Sequence, residues 1–119
     1  MILNHTIATY VKNGDRVLDL GCGEGDLLDY LNKNNVIYSY GIDIKEENIV
    51  QCIQKGISVF QSDINHGLTE FPDNSFDLVI LSQTLQQIKD PILLLNEMCR
   101  VGKQVIVSFP NFTHLSSRL

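Results

Sequence analysis

The chain has 119 residues, 44% hydrophobic and 19% charged, enough apolar material for one core and too little charge for a disordered chain. Its formal charge of −5 is spread without runs, and the nine Lys and Arg residues stand singly from Lys12 to Arg118, so no basic stripe exists to neutralise a nucleic-acid backbone. No apolar stretch approaches the ~20 residues of a membrane span, which excludes a membrane helix.

The first six residues lack the charged and apolar regions of a signal peptide, and Cys22, Cys52 and Cys99 are odd in number and far apart. The expectation is one cytoplasmic domain over 1–119 with reduced thiols, no disulfide framework and no metal site. The cysteines read best as small apolar packing residues.

In chain order, Leu3, Ile7, Tyr10 and Val11 give a helical stripe that Gly14 closes, and Arg16 to Leu20 is the first strand. Leu27, Leu28 and Leu31 form the face of the next helix, and Val36 to Ile42 makes a second strand that ends at Asp43. Ile49, Val50 and Ile53 mark a third helix, with Lys55 in its last turn and Gly56 as its stop. Strand three covers Ile57 to Gln61. A polar connection from Ser62 to Ser75, carrying Gly67, Pro72, Asp73 and Asn74, leads to strand four over Phe76 to Leu81. Pro91 opens a helix with Ile92, Leu94, Leu95 and Met98 on its buried face, and Gln104 to Phe109 is strand five. Thr113 to Leu119 reads as a polar tail. Strands alternating with helices imply βαβ units and an α/β, doubly wound parallel sheet of five strands with helices on both faces.

Gly21, Gly23 and Gly25 fall on alternate positions between the first strand and its helix, where a missing Cβ lets a ligand press against the main chain. A turn that only joins strand to helix is the alternative. A dinucleotide fingerprint wants Gly or Ala at position 26, and this chain has Asp26. Asp19, Glu24 and Asp26 would together repel a pyrophosphate and attract a ligand with a positive head, such as the sulfonium and ammonium groups of S-adenosylmethionine.

In such sheets the ligand sits beyond the carboxyl ends of the strands, which places the chemistry at Gly21, Asp43, Asp63 and Ser82. Asp43 lies 18 residues beyond Gly25, where an acidic residue accepts hydrogen bonds from ribose hydroxyls. With Glu46 it also matches a capping box for the third helix. Asp63 suits the exocyclic amine of adenine, with Ile64 over the ring, and reads equally as a loop-start aspartate.

The run 17–25, the acidic end of strand two, the Ser62-Asp63-Ile64 turn and the strand at 75–79 resemble the cofactor half of class I S-adenosylmethionine-dependent methyltransferases, a Rossmann-like fold. Val17-Leu-Asp-Leu-Gly-Cys-Gly-Glu-Gly25, Leu81-Ser-Gln-Thr-Leu-Gln86 and Ser108-Phe-Pro-Asn-Phe112 with His114 more narrowly resemble the methionine biosynthesis protein MetW family, over nearly the whole chain.

The resemblance implies that Asp19, Gly21, Cys22 and Gly23 line the methionine end of S-adenosylmethionine or S-adenosylhomocysteine. It likewise assigns Asp43 and Ile44 to the ribose, Asp63 and Ile64 to the adenine, and Ser82 to the floor near the sulfonium. It further implies a role in methionine biosynthesis, either as a small-molecule methyltransferase or as a non-catalytic adenosyl-binding partner of the homoserine acyltransferase MetX.

Acceptor machinery is sparse. Gln86 and Gln87 stand where many similar small-molecule methyltransferases carry a histidine, His5, His66 and His114 are isolated, and no catalytic residue is assigned. The methyltransferase fold continues past strand five with a further helix and a reversed strand pair, so the expectation is a C-terminally truncated domain with one bare sheet edge. Marginal stability or self-association into a homo-oligomer follows from that edge.

Overall fold

The computed structural model describes residues 2–82, 88–108 and 115–118. Along the chain run α1 (Ile2–Ala8), β1 (Arg16–Leu20), α2 (Asp26–Asn34), β2 (Tyr38–Asp43), α3 (Glu46–Gln54) and β3 (Ser58–Gln61). A short 3-10 turn (Ile64–His66), β4 (Phe76–Ser82), α4 (Pro91–Val101), β5 (Gly102–Ser108) and β6 (Leu115–Arg118) follow. The strands form one sheet in the order β3-β2-β1-β4-β5-β6, parallel from β3 to β5, with β6 antiparallel to β5.

β1 and β4 are central and covered on both faces, which is why 17–20 and 78–81 are apolar runs interrupted only by Asp19. Period-two alternation sends Val17, Leu78, Ile80 and Ile106 to one face, against Ile7 of α1, Leu28 and Leu31 of α2 and Cys52 of α3. Leu18, Leu20, Val79, Leu81, Val105 and Val107 go to the other, against Leu94, Met98 and Val101 of α4 and Leu68 of the connection before β4. The Rossmann-like doubly wound sheet expected from the sequence is therefore present.

Several boundaries and faces differ from the sequence reading. The expected tail contains a strand at 115–118, whose backbone pairs with β5 from Gln104↔Arg118 to Val107↔Leu115 and so covers the edge expected to be bare. β2 begins at Tyr38 because β1 starts pairing only at Arg16↔Tyr38. Val36 instead exchanges backbone bonds with the 11–15 loop, through Asn13 Oδ1 (2.9 Å) and the Gly14 N–H (2.6 Å). α1 stops at Ala8, where the Thr9 hydroxyl donates back to the Thr6 carbonyl (2.6 Å).

On α3 only Cys52 is fully buried, and Val50 and Ile53 face out, because this helix lies over β3 and β2, the two strands at one end of the sheet. On α4 the buried row is Leu94, Met98 and Val101, spaced four and three residues apart, which rotates Ile92 to 72% exposure. Residues 83–87 and 109–114 lie outside the described residues, and with them the expectations for Gln86, Gln87, Phe109 and His114.

One side chain fixes the long connection between β3 and β4. Arg100 of α4 donates to the carbonyls of Leu68 and Phe71 (both 2.8 Å) and pairs with Asp73 (2.9 Å) and Glu97 (2.8 Å). Glu97 in turn accepts the Leu68 N–H (3.0 Å). The segment that carries Asp63 and Ile64 is thus tied to a helix on the opposite side of the sheet from α3.

Candidate functional site

The register sets Leu20 level with Ile42 and Leu81, and Asp43 level with Gln61, so the carboxyl ends of β1 to β4 form one rim. A cavity of about 330 Å³ opens there. Its wall brings together six of the residues expected from sequence: Gly21, Gly23, Asp43, Ile44, Asp63 and Ile64. Lys45, Asn48, Ser62, Asn65 and Ile88 also line it, and the sequence reading gave none of these a role. Asp19, Cys22 and Ser82 are not part of the wall.

Two of the three alternating glycines, Gly23 and Gly25, have different reasons to be glycine. Gly23 has φ +58, and a Cβ placed on it meets nothing within 4 Å, so the missing side chain leaves open space beside the main chain. Gly25 has φ +87 and faces the protein, where a Cβ would meet Ile57 Cδ1 at 2.7 Å and Cys52 Sγ at 3.1 Å. The third glycine therefore serves packing of the loop against α3. Gly25→Ala is expected to lower folding stability by about 1–3 kcal/mol, from strain plus overpacking, as read by urea unfolding. An unchanged midpoint would mean that the loop yields without cost.

Asp43 accepts from two backbone N–H groups and one side-chain amide. Its Oδ2 accepts the Gly23 N–H (2.9 Å), and its Oδ1 accepts the Lys45 N–H (2.9 Å) and the Asn48 side-chain amide (3.1 Å). The capping box with Glu46 does not form. Lys45 is the N-cap of α3 and makes no side-chain cap bond, while Asp43 holds the helix start from two residues upstream. The carboxylate thus sits at the strand end expected of a sugar-binding acid, and also clasps the glycine turn to α3.

Beneath the turn, Asp19 is 2% exposed and its Oδ1 has no hydrogen-bond partner among the described residues. Burial, reinforced by the charge of Asp43, pushes its carboxyl up from 3.8 to about 8. Cys22 turns away from the cavity. Its sulfur lies 3.8 Å from that of Cys52, whose thiol also donates to the Gly23 carbonyl (3.3 Å), and burial pushes both thiols up. Neither has the thiolate character of a nucleophile.

Across the cavity, Asp63 caps the 3-10 turn by accepting the Asn65 N–H (2.9 Å), the loop-start role, and that bond is the main cause holding its carboxyl below the usual range. Its other oxygen is 4.0 Å from His66. Asn65 accepts the Lys89 N–H (2.9 Å), which brings Ile88 to the wall beside Ile64. Two apolar side chains and an ionised carboxylate therefore border one end of the cavity. Asp43, Lys45 and Asp63 are the only Asp, Glu, His, Lys, Arg or Cys residues in the described wall.

The expected repulsion of a pyrophosphate is weaker than the sequence suggested. Asp26 is paired with Lys55 (2.9 Å), which also donates to the Glu24 carbonyl (2.8 Å), and Asp19 is withdrawn below the loop. What remains of the argument against a dinucleotide is Asp26, standing where the fingerprint wants a small residue, and Glu24.

The chain matches the family model "Methionine biosynthesis protein MetW" over residues 4–119. It is 40% identical over 121 residues to the bifunctional methionine biosynthesis protein MetXA/MetW of Rhodopirellula baltica, covering 95% of this chain and 19% of that protein. Among solved structures it resembles the [4+2]-cyclase SpnF (TM-score 0.79, 25% identity, 89% of this chain and 43% of that one). It also resembles a SAM-dependent methyltransferase from Aquifex aeolicus (TM-score 0.73, 27% identity, 87% and 62%). The chain thus spans about a fifth of that curated relative and about half of those structures. It belongs to the methionine biosynthesis protein MetW family, on a class I methyltransferase fold.

Proposed function

We propose that the chain binds S-adenosylmethionine or S-adenosylhomocysteine in the cavity at the β1–β3 rim, as a methyltransferase-like protein of methionine biosynthesis. The observation that carries this reading is the unpartnered, buried Asp19 oxygen beneath a glycine turn, with the Asp43 carboxylate beside it. A buried acid without a partner costs stability unless a ligand supplies one, and a ligand ammonium is a suitable partner. The residues fit the cofactor in parts: Gly21 and Gly23 at the amino-acid end above Asp19, Asp43 and Ile44 at the ribose, and Asp63, Ile64 and Ile88 at the adenine. Cys22 contributes shape from behind the turn, and Ser82 stands at the end of β4 for the sulfonium side.

When bound, S-adenosylmethionine supplies an electrophilic methyl group on sulfur. The chain's own part is to bind and orient. Asp43 and Asp63 accept hydrogen bonds, and the isoleucines exclude water from the base. No lining histidine or cysteine offers a general base among the described residues, and both lining carboxylates are already committed to backbone N–H groups.

That pattern favours binding over catalysis. The fused MetXA/MetW relative supports a second reading, in which the adenosyl-bound domain acts on a homoserine acyltransferase held beside it. The [4+2]-cyclase on the same fold is a reminder that the scaffold does not dictate methyl transfer.

Calorimetric titration tests the first reading: both adenosyl ligands are expected to bind and NAD is not. Binding of NAD, or of nothing, would overturn it. Adding the liganded chain to a homoserine acyltransferase and measuring acyl transfer separates the second reading from methyl transfer.

A further inference from the structure

A count of hydrogen-bond acceptors around Asp43 assigns a role to Asn48. A carboxylate offers about four lone-pair sites. Three are taken by the protein: Gly23 N–H on Oδ2, and Lys45 N–H and Asn48 Nδ2 on Oδ1. One site is left, on Oδ2. A ribose presents two adjacent hydroxyl donors, so Asp43 cannot accept both while it keeps the turn clasped to α3.

Asn48 stands in the same cavity wall, half-buried, in the first turn of α3. Its amide orientation follows from chemistry, because a carboxylate only accepts and the nitrogen must face Asp43. The amide oxygen then has no donor among the described residues. We propose that Asn48 is a binding residue for the sugar, its side-chain oxygen accepting one hydroxyl of a vicinal diol while Asp43 Oδ2 accepts the other. Asn48 thereby acts twice, holding the Asp43 carboxylate by its nitrogen and reading the sugar by its oxygen. The inference rests on the adenosyl reading above and names which residues distinguish ribose from deoxyribose.

The test is titration of the whole chain with S-adenosylhomocysteine and its 2′-deoxy and 3′-deoxy forms, repeated with Asn48→Ala and Asn48→Asp. The parent chain is expected to bind each deoxy form about tenfold more weakly, one hydrogen bond apiece. In Asn48→Ala, discrimination against one deoxy form is expected to vanish while that against the other stays. Asn48→Asp replaces the acceptor oxygen without the donor, so the lost discrimination returns although overall affinity stays low.

A purely structural Asn48 would weaken all three ligands equally. Unchanged discrimination in both variants would therefore overturn the assignment and leave the adenosyl reading standing. Failure of the parent chain to bind S-adenosylhomocysteine would overturn both. If Asn48→Ala fails to fold, Asn48→Leu, of similar volume and without an acceptor, decides the matter: loss of discrimination against one deoxy form supports the assignment, and discrimination like the parent's at reduced affinity overturns it.

Discussion

Asp19→Asn is expected to make the ligand-free chain more stable at pH 8.5 and a poorer binder of adenosyl ligands. The folded-state value of Asp19, about 8, lies above its ordinary 3.8. Between those two values the folded chain holds a proton that the unfolded chain has released. Its contribution to stability is therefore complete below about pH 4 and is lost as pH rises through 8, with a slope on the order of 1 kcal/mol per pH unit.

Asparagine has nearly the same shape and no proton to lose. The variant should melt several degrees above the parent at pH 8.5, and the parent should gain on it steadily as the pH falls towards 5. Asp63, Asp77 and Glu97, whose carboxyls are held low, shift both chains alike and only in acid. In the same variant, affinity for S-adenosylmethionine should fall at least about tenfold, since the amide cannot supply a negative charge to an ammonium. Parallel melting curves across pH would remove Asp19 as a buried titrating acid. Undiminished affinity would remove it from the ligand site.

Asp43→Ala should weaken both adenosyl ligands by about 1–3 kcal/mol, or roughly five- to 150-fold, the cost of removing a charged acceptor. The substitution also frees the Gly23 and Lys45 N–H groups and the Asn48 amide, so some loss of melting temperature is expected with it. Calorimetry on a variant shown to be folded by circular dichroism separates the two effects. Unchanged affinity would leave Asp43 as a clasp between the turn and α3 and nothing more.

The parts of the site legible in the sequence are those that directly follow a strand. Gly21, Asp43, Asp63 and Ile64 needed only correct strand ends, marked by apolar runs that stop at a glycine or a polar residue, whereas Ile44 was implied by the family resemblance alone. Asn48 and Lys45 were hidden because their place in the wall depends on the angle at which α3 leaves β2, which periodicity does not encode. Ile88 arrives only because Lys89 is hydrogen-bonded to Asn65, a contact 24 residues long in sequence.

The direction of Cys22 was illegible for a similar reason. Left-handed glycines on both sides of it break the alternation that would otherwise tell inward from outward. β6 escaped notice because Leu-Ser-Ser-Arg has no alternation of its own, and its strand character comes from the waiting edge of β5. Ile92, expected on the buried face of its helix, faces out for the converse reason: a helical stripe shows which residues share a face, not whether a neighbour covers that face.

The strand order also sets a timetable for synthesis. β3, β2 and β1 are contiguous within residues 16–61, and they and their connections carry most of the cavity wall, including Gly23, Asp43 and Asn48. The inner edge of β1, however, pairs with β4, with Val17 opposite Leu78 some 60 positions later. As the chain leaves the ribosome from its amino end, the β1–β3 part of the cavity wall is complete while the buried central strand β1 still has one bare edge. Until residues 76–82 emerge, that edge is the part of the nascent chain most open to pairing with the wrong partner.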